Sequence, residues 1–463
     1  MTEPVKVARV RARERVVVDV DRPAARWIGA LAVLSLFCWL VVLLARNHDH
    51  ADWNAAGRLA WSLTILTGVA LIARGIFLGR PVTAAHATSA MVVLLVGLGA
   101  HLLSYDLLGN VLVAGAGLVL MWPTTARPQP EDLPRVWSLV NTTQGDPLAP
   151  FALQSLKSYC FNDAGTAAIA YRTRIGFATV SGDPIGDETQ FPQLVADFVA
   201  MCHTRGWRIL VLGCSERRLP LWRNDAVVGQ RMRRVPIGRD VVIDVRRFDM
   251  VGRKYRNLRQ AVQRTHNFGI TTEVVAEQDV DDALRAELAQ VLFASHSGAR
   301  TERGFSMILD GALERRYPGI QLIIARDRDG QVQGFHRYAS SGGGTDITLD
   351  VPWRRPGAPN GIDERLSIDM IYEAKSFGAQ RLSLAFAAFP EVFKNKDRNR
   401  LQDLVYHAIH LLDSLIALES LYRYLRKFHA LGDRRYVLLS LRHIMPAVVV
   451  LLSLEFAPRR RHL

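Results

Sequence analysis

Residues 252–269, GRKYRNLRQAVQRTHNFG, carry five cations (Arg253, Lys254, Arg256, Arg259 and Arg264) and no acid. Tyr255, Leu258 and Val262 recur at i, i+3 and i+7, the spacing that a helix buries. Such a helix packs one side on a core and presents a positive flank. That flank meets either an external anion or acids elsewhere in the chain. A second stretch, VPWRRPGAPNGI, is bracketed by two carboxylates. Asp350 ends a strand-like run, and Glu364 falls in the first turn of a predicted helix. A carboxylate in such a place takes a proton, holds an ammonium, or only complements a helix start or solvates a strand end. Arg354 and Arg355, in the loop between them, have the chemistry to neutralise a phosphate.

The elements that must position these residues repeat. A first copy reads as strands AAIAYRT and GFATVSG, a loop GDPIGDE, a helix FPQLVADFVAMCHTRGW and a strand RILVLGC. A second reads as strands IQLIIARD, GQVQGFHRY and TDITLDV, a loop PWRRPGAPNG, a helix IDERLSIDMIYEAKSFGA and a strand QRLSLAF. Each helix stops at a glycine, Gly206 or Gly378. Antiparallel strands, a loop, a helix and a closing strand make the core of the GNAT acyltransferase fold, so tandem GNAT-like lobes are expected. The cationic helix lies between the two closing strands. An acyl-CoA pyrophosphate would sit on the loop before the helix, at [QR]-x-x-G-x-[GA]. Arg354 and Gly357 keep the spacing, but Pro359 replaces the last position and removes a backbone donor. In the first copy Asp183 and Asp187 would repel a diphosphate, and Gly182 and Gly186 read as a tight turn.

Ahead of the lobes lies apolar sequence. Residues 27–45 are uninterrupted by charge and long enough to span a bilayer, and 59–78 form a second run. Residues 84–121 read as two short spans around a turn at Asp106. Seven Lys/Arg precede Trp27, which places the N-terminus and everything after Trp122 on the cytoplasmic side. The expected organisation is a basic N-terminus (1–26), an anchor of about four helices (27–122) and a linker (123–149). A first lobe with the cationic helix (150–270) and a second lobe with C-terminal helices (271–463) follow. The net charge is +14, with 58 Lys and Arg against 44 Asp and Glu. The four cysteines form no C-x-x-C pair, and His48 and His50 have no further histidine or cysteine beside them and read as a solvated loop, so no metal site is expected.

Taken together, AIAYRTRIGFATVSGDPIGD, the cationic stretch, ERGFSMILD, GFHRYAS, LDVPWRRPGAPNGIDERL and SLYRYLRKF resemble the catalytic part of the phosphatidylglycerol lysyltransferase family, of the multiple-peptide-resistance-factor type. The resemblance runs from about 150 to 436. It implies a bacterial, multi-pass plasma-membrane aminoacyltransferase with its catalytic part in the cytoplasm. The partners implied are aminoacyl-tRNA, the anionic lipid phosphatidylglycerol and the membrane, with a homo-oligomer admitted and no cofactor. The amino acid already sits on an activated ester, so the step needs no ATP or metal. On this resemblance Asp350 or Glu364 takes the hydroxyl proton or holds the amino acid's ammonium, and Arg354 joins them in catalysis. Glu302, Arg355, Asn360, Gly361 and Lys427 contact substrate. The cationic flank meets tRNA phosphate or an anionic headgroup. Ala385, Ala430 and Gly432 depart from what relatives carry. A membrane-anchored acyl-CoA-dependent GNAT and a non-catalytic tRNA- or lipid-binding relative are the alternatives.

Overall fold

The computed structural model describes residues 16–18, 31, 55–77, 82–223, 228–229, 231–296, 305, 309–388 and 418–455. The chain divides into two compact units. One comprises 1–125 with the short segments 173–178 and 199–208, and the other comprises 126–172, 179–198 and 209–463.

In the first unit, α1 (Ala55–Phe77), α2 (Ala84–Leu102) and α3 (Asp106–Leu120) follow one another. The Thr83 hydroxyl caps α2 by accepting the His86 N–H at 3.3 Å. The turn predicted at Asp106 is present, and His101 and Asp106 are joined across it at 3.1 Å. α1 and α3 cross closely at two glycines. A Cβ on Gly117 would lie 3.1 Å from the Gly68 carbonyl oxygen, the kind of small-residue contact that lets apolar helices approach. Among the described residues one helix, Ala84–Leu102, is long and apolar enough to cross a membrane; Leu63–Ile72 and Asp106–Leu120 are shorter apolar helices. The first expected span, 27–45, lies outside the described residues apart from Leu31.

The second unit is built on one mixed sheet. Its helices are α4 (Leu133–Thr142), α5 (Phe191–Thr204), α6 (Arg256–Asn267), α7 (Asp282–His296), α8 (Ile362–Ser376), α9 (Leu418–Arg426) and α10 (Ile444–Glu455). The strands of the first copy are β1 (Ser158–Phe161), β2 (Ala167–Arg174), β3 (Phe177–Ser181) and β4 (Arg208–Ser215). Then come β5 (Arg233–Asp244) and β6 (Thr271–Ala276). The second copy supplies β7 (Ile320–Arg326), β8 (Val332–Ser341), β9 (Asp346–Arg354) and β10 (Arg381–Ala388), and β11 (Leu431–Leu439) closes the set. The strand order is β1-β2-β3-β4-β11-β5-β10-β9-β8-β7-β6, with the short pair Ile185–Gly186 on β2.

The two copies therefore share one continuous sheet. β11, late in the chain, lies antiparallel between β4 and β5, and β5 in turn pairs antiparallel with β10. β4 reads ILVLGC without polar alternation because it is buried on both faces. Gly206 and Gly378, at φ 61° and 81°, follow α5 and α8 in the left-handed conformation that ends a helix. The main core collects Leu258, Val262, Ile323, Tyr338, Leu366, Met370 and Leu425 around α8, the largest share coming from β5, β10 and the inner face of α8.

A buried ion cluster holds the shared strands together. The Arg435 guanidinium on β11 reaches Asp146 at 2.6 Å, Asp240 at 2.8 and 3.0 Å, Asp183 at 3.4 Å and the Gly213 carbonyl at 3.0 Å. All four charged side chains are buried. Burial pushes the Asp240 carboxyl up to about 6, against the pull of Arg435. Burial and the neighbouring Asp146 likewise push Asp183 up. Asp183, read from sequence only as hostile to a diphosphate, is thus a partner of an arginine 252 residues away.

Candidate functional site

β8 decides which side chains meet α8. Successive residues of a strand face opposite sides, so His336 and Tyr338 point to α8 while Arg337 points away. His336 Nε2 lies 3.3 Å from Asp363 Oδ1, and Arg354 Nη1 lies 3.2 Å from Asp363 Oδ2. On its other side His336 Nδ1 lies 3.5 Å from the Tyr338 hydroxyl. Tyr338 continues to Ser367 at 3.4 Å, and Ser367 is hydrogen-bonded to Tyr424 of α9. One residue along α8, Glu364 is ion-paired with Lys427.

The cluster reaches solvent at its charged end. His336 is fully buried, whereas the side chains of Asp363, Lys427 and Arg354 are 23%, 37% and 51% exposed. Burial alone would raise the Asp363 carboxyl. The hydrogen bond from His336 and the charges of His336, Arg354 and Lys427 outweigh it and hold the group below the usual carboxylate range. Two carboxylates, two cations and the first turn of a helix therefore meet at one mouth. β9 and β10 run parallel beside it but pair only from Asp346 to Thr348, although β9 continues to Arg354. Beyond Thr348 β9 stays paired with β8 but parts from β10 and leads to the start of α8.

The cationic helix packs directly against this site. Gly361, the N-cap of α8, sits at φ 102°, and a Cβ there would lie 2.7 Å from the Ala261 carbonyl oxygen of α6. No other residue fits both that backbone angle and that contact. Further along, Arg365 Nη1 meets His266 Nε2 at 2.7 Å. Asp369, the ion partner of Arg365, accepts the Thr272 hydroxyl at 2.6 Å. At the other end His429 Nε2 contacts the Lys254 carbonyl at 3.0 Å, two residues from Lys427. Tyr255, Leu258 and Val262 are buried as the stripe predicted, joined by Ala261 and Thr265. Arg253, Lys254, Arg256, Arg259 and Arg264 are exposed, and none is ion-paired with a carboxylate among the described residues. Arg259 is engaged locally, donating to the Gly252 carbonyl at 2.9 Å.

The other expected site residues distribute differently. Asp350 does not share the mouth with Glu364. It lies where the β8–β9 register shifts, as the extra residue of a bulge. Its carboxylate accepts Arg337 Nη1 at 2.9 Å and the Leu309 N–H at 2.8 Å, and Arg337 also holds Glu277 at 2.9 Å. These three ionic side chains are 0% exposed. Burial pushes Asp350 up to about 6, against Arg337 and the Leu309 N–H. Asp350 thus holds the far face of the sheet together. Arg355 Nε is bonded to the Val332 carbonyl at 2.7 Å, which pins the loop, and Asn360 is exposed beside Gly361. Glu302 lies outside the described residues. Sequence reasoning passed over His336, Asp363, Tyr338, Ser367 and Tyr424. The available signal was Asp363 beside Glu364 at a predicted helix start, and a histidine on the same strand face as a tyrosine.

Comparison with known proteins bears on what this arrangement belongs to. Residues 137–439, which contain every member of the cluster, match the family described as phosphatidylglycerol lysyltransferase, C-terminal. The chain is 68% identical over 457 residues to the MprF-like domain protein Rv1619 of Mycobacterium tuberculosis (strain ATCC 25618 / H37Rv), covering 99% of this chain and 94% of that protein. It is 29% identical over 378 residues to the lysylphosphatidylglycerol biosynthesis bifunctional protein LysX of Mycobacterium bovis (strain BCG / Pasteur 1173P2). That match covers 81% of this chain but only 30% of LysX. Among solved structures, L-PGS from Bacillus licheniformis has the same fold, with a TM-score of 0.60 at 20% identity over 72% of this chain and 98% of that one. With the matched region spanning the shared sheet, the cationic helix and the mouth of α8, the chain belongs to the phosphatidylglycerol lysyltransferase C-terminal family.

Proposed function

We propose that this protein is a membrane-anchored aminoacyltransferase that moves an amino acid from aminoacyl-tRNA to a hydroxyl of phosphatidylglycerol or a related anionic lipid. The observation that carries the reading is the packing of an acid-free cationic helix against the helix start that holds Asp363, Glu364, Arg354 and Lys427. In this reading the flank of α6 holds acceptor-stem phosphates and brings the aminoacyl ester to the mouth. Asp363, kept ionised by its neighbours, is a weak base and a good ligand for the amino acid's ammonium. Glu364 takes the proton of the lipid hydroxyl. In a phosphoglycerol headgroup the hydroxyl lies a few bonds from the phosphate. Lys427, drawn from Glu364 to that phosphate, leaves the carboxylate beside the hydroxyl. The lipid oxygen bonds to the ester carbonyl carbon, and the tetrahedral oxyanion forms among the unpaired N–H groups at the start of α8 and the Arg354 guanidinium. The carbonyl–ribose bond then breaks, and the proton passes from Glu364 to the leaving ribose oxygen.

The anchor belongs to the same proposal: four apolar helices with the second unit on the cytoplasmic side, where tRNA is available. The direct test supplies radiolabelled aminoacyl-tRNAs to the full chain in phosphatidylglycerol liposomes and counts label in chloroform-extractable lipid. Label in lipid is expected with at least one amino acid. No label from any aminoacyl-tRNA overturns the reading in favour of a binding role.

The cationic flank makes its own prediction. tRNA affinity should fall steeply with salt as counterions are released. Arg256→Ala with Arg264→Ala, two arginines that hold no described backbone contact, should flatten the log–log slope by up to about two units. Filter binding across a salt series checks this, and an unchanged slope and affinity would mean that tRNA binds elsewhere.

A further inference from the structure

The last helix has an outer face that the proposed reaction does not use. Ala447, Val450 and Leu454 of α10 turn inward and are buried. Leu441, just before the helix, and Ile444, Met445, Val448, Val449 and Leu452 all remain exposed. Their spacing of i, i+3, i+4, i+7, i+8 and i+11 makes one continuous apolar stripe along the outside. From Ile444 to Leu454 the helix carries no charged residue. A soluble surface rarely shows so contiguous an apolar strip without a partner. At 12 residues the helix is roughly 18 Å long, well short of the ~30 Å of a bilayer's hydrocarbon core. It cannot serve as a span.

The charges around the stripe identify the partner. β11 ends at Leu439, which pairs with Arg233, and Leu438 pairs with Arg234. Both arginines are exposed, on opposite faces of the strand start beside α10, with Arg231 just before them. Arg442 is exposed in the turn that leads into α10. The sequence continues past the helix into Arg459, Arg460 and Arg461. An apolar strip rimmed by cations has the complement of an anionic bilayer surface, with acyl chains beneath phosphate headgroups. A soluble protein partner would need acids facing these arginines as well as an apolar groove.

We propose that α10, with Arg233, Arg234 and Arg442 at its base, is an interfacial membrane contact. The helix lies in the plane of an anionic bilayer surface with its outer stripe at the acyl boundary. The contact does not depend on the transfer reaction. It assigns the cations of 231–234 to lipid phosphate, apart from those of α6.

The test uses the full chain in nanodiscs, with a nitroxide on Val449→Cys in a background lacking the other accessible cysteines. A second label on Arg246→Cys, at the far end of β5, is the water-exposed reference. Collision with oxygen is compared with collision with a nickel chelate. In phosphatidylglycerol discs the oxygen-to-nickel ratio at 449 should exceed that at 246 at least fivefold. In phosphatidylcholine discs, or with Arg233→Glu and Arg234→Glu, the ratio should fall at least threefold. Nickel access at 449 equal to that at 246 in phosphatidylglycerol discs overturns the proposal. So do equal ratios in the two lipids. Spin–spin broadening that grows with protein concentration would show a second copy on the stripe, which also overturns it.

Discussion

Glu364→Gln is expected to lower aminoacyl transfer to lipid by ~10²–10⁴-fold, the usual cost of losing a general base. The amide keeps the size of the side chain and can still hydrogen-bond near Lys427, so the protein should fold and insert normally. Asp363→Asn tests the other half of the mouth. It removes the charge that would hold the ammonium and leaves a single amide oxygen to accept from either His336 or Arg354. A charge-assisted hydrogen bond contributes about 1.5–3 kcal/mol, so a loss of roughly 10–150-fold is expected, mostly in KM for aminoacyl-tRNA. Asp350→Asn is the contrasting variant. Its carboxylate is sealed against Arg337 and the Leu309 N–H, so the change should appear as lowered thermal stability with transfer per folded molecule largely kept. The radiolabel assay separates the three. Glu364→Gln within a few-fold of wild type, or Asp350→Asn a hundredfold down while fully folded, would return the proton-transfer role to Asp350.

Arg435→Met should have the largest effect on stability. It strips away the guanidinium that Asp146, Asp183 and Asp240 share. Breaking a buried ion pair from one side costs about 3–5 kcal/mol, because the other charges stay buried and uncompensated. For a unit of this size that is roughly a 5–10 °C fall in melting temperature. Arg246→Met, an exposed change at the end of β5, should shift it little. The loss should also depend on pH. Asp240 is raised to about 6 in the folded chain, above the ~3.9 of an unfolded aspartate. Its contribution to stability is fully present below the unfolded value and is lost as pH rises through about 6. Without Arg435 the carboxylates must stay protonated to remain buried, so the variant should be weakest at high pH. Scanning calorimetry of the full chain in mild detergent at pH 5 and 8 measures both effects. Melting within a degree or two of wild type at both would show that the cluster is not what holds β11.

What the sequence discloses follows from how local each signal is. The stripe of Tyr255, Leu258 and Val262 predicts the buried side of α6 because helical period is a property of neighbours. The paired copies of strand, loop, helix and strand are legible for the same reason, as are the stops at Gly206 and Gly378. The direction of Asp350 is not legible. Its place beside the APNG loop suggests the catalytic mouth, but the bulge in β9 and the partner Arg337 commit it to the other face. His336 and Asp363 are 27 residues apart and meet only because β8 lies under α8. The Arg435 cluster is more distant still, since its partners lie 195 to 289 residues away in sequence. No periodicity in any one segment announces such a contact. The bare outer side of the apolar C-terminal helix depends on what packs beside it, which the segment alone does not disclose.

The insertion of β11 between β4 and β5 governs the order in which the protein can become whole on the ribosome. β4 and β5 are complete by residue 244, but the strand that joins them ends at Leu439. For the nearly two hundred residues synthesised in between, two strand edges lack their final neighbour, and Asp146, Asp183 and Asp240 lack their guanidinium. Open strand edges template wrong pairings, and contacts of such long sequence separation form slowly. The first copy therefore cannot complete its sheet until the end of synthesis. A cut anywhere between the two copies leaves neither half with a finished sheet.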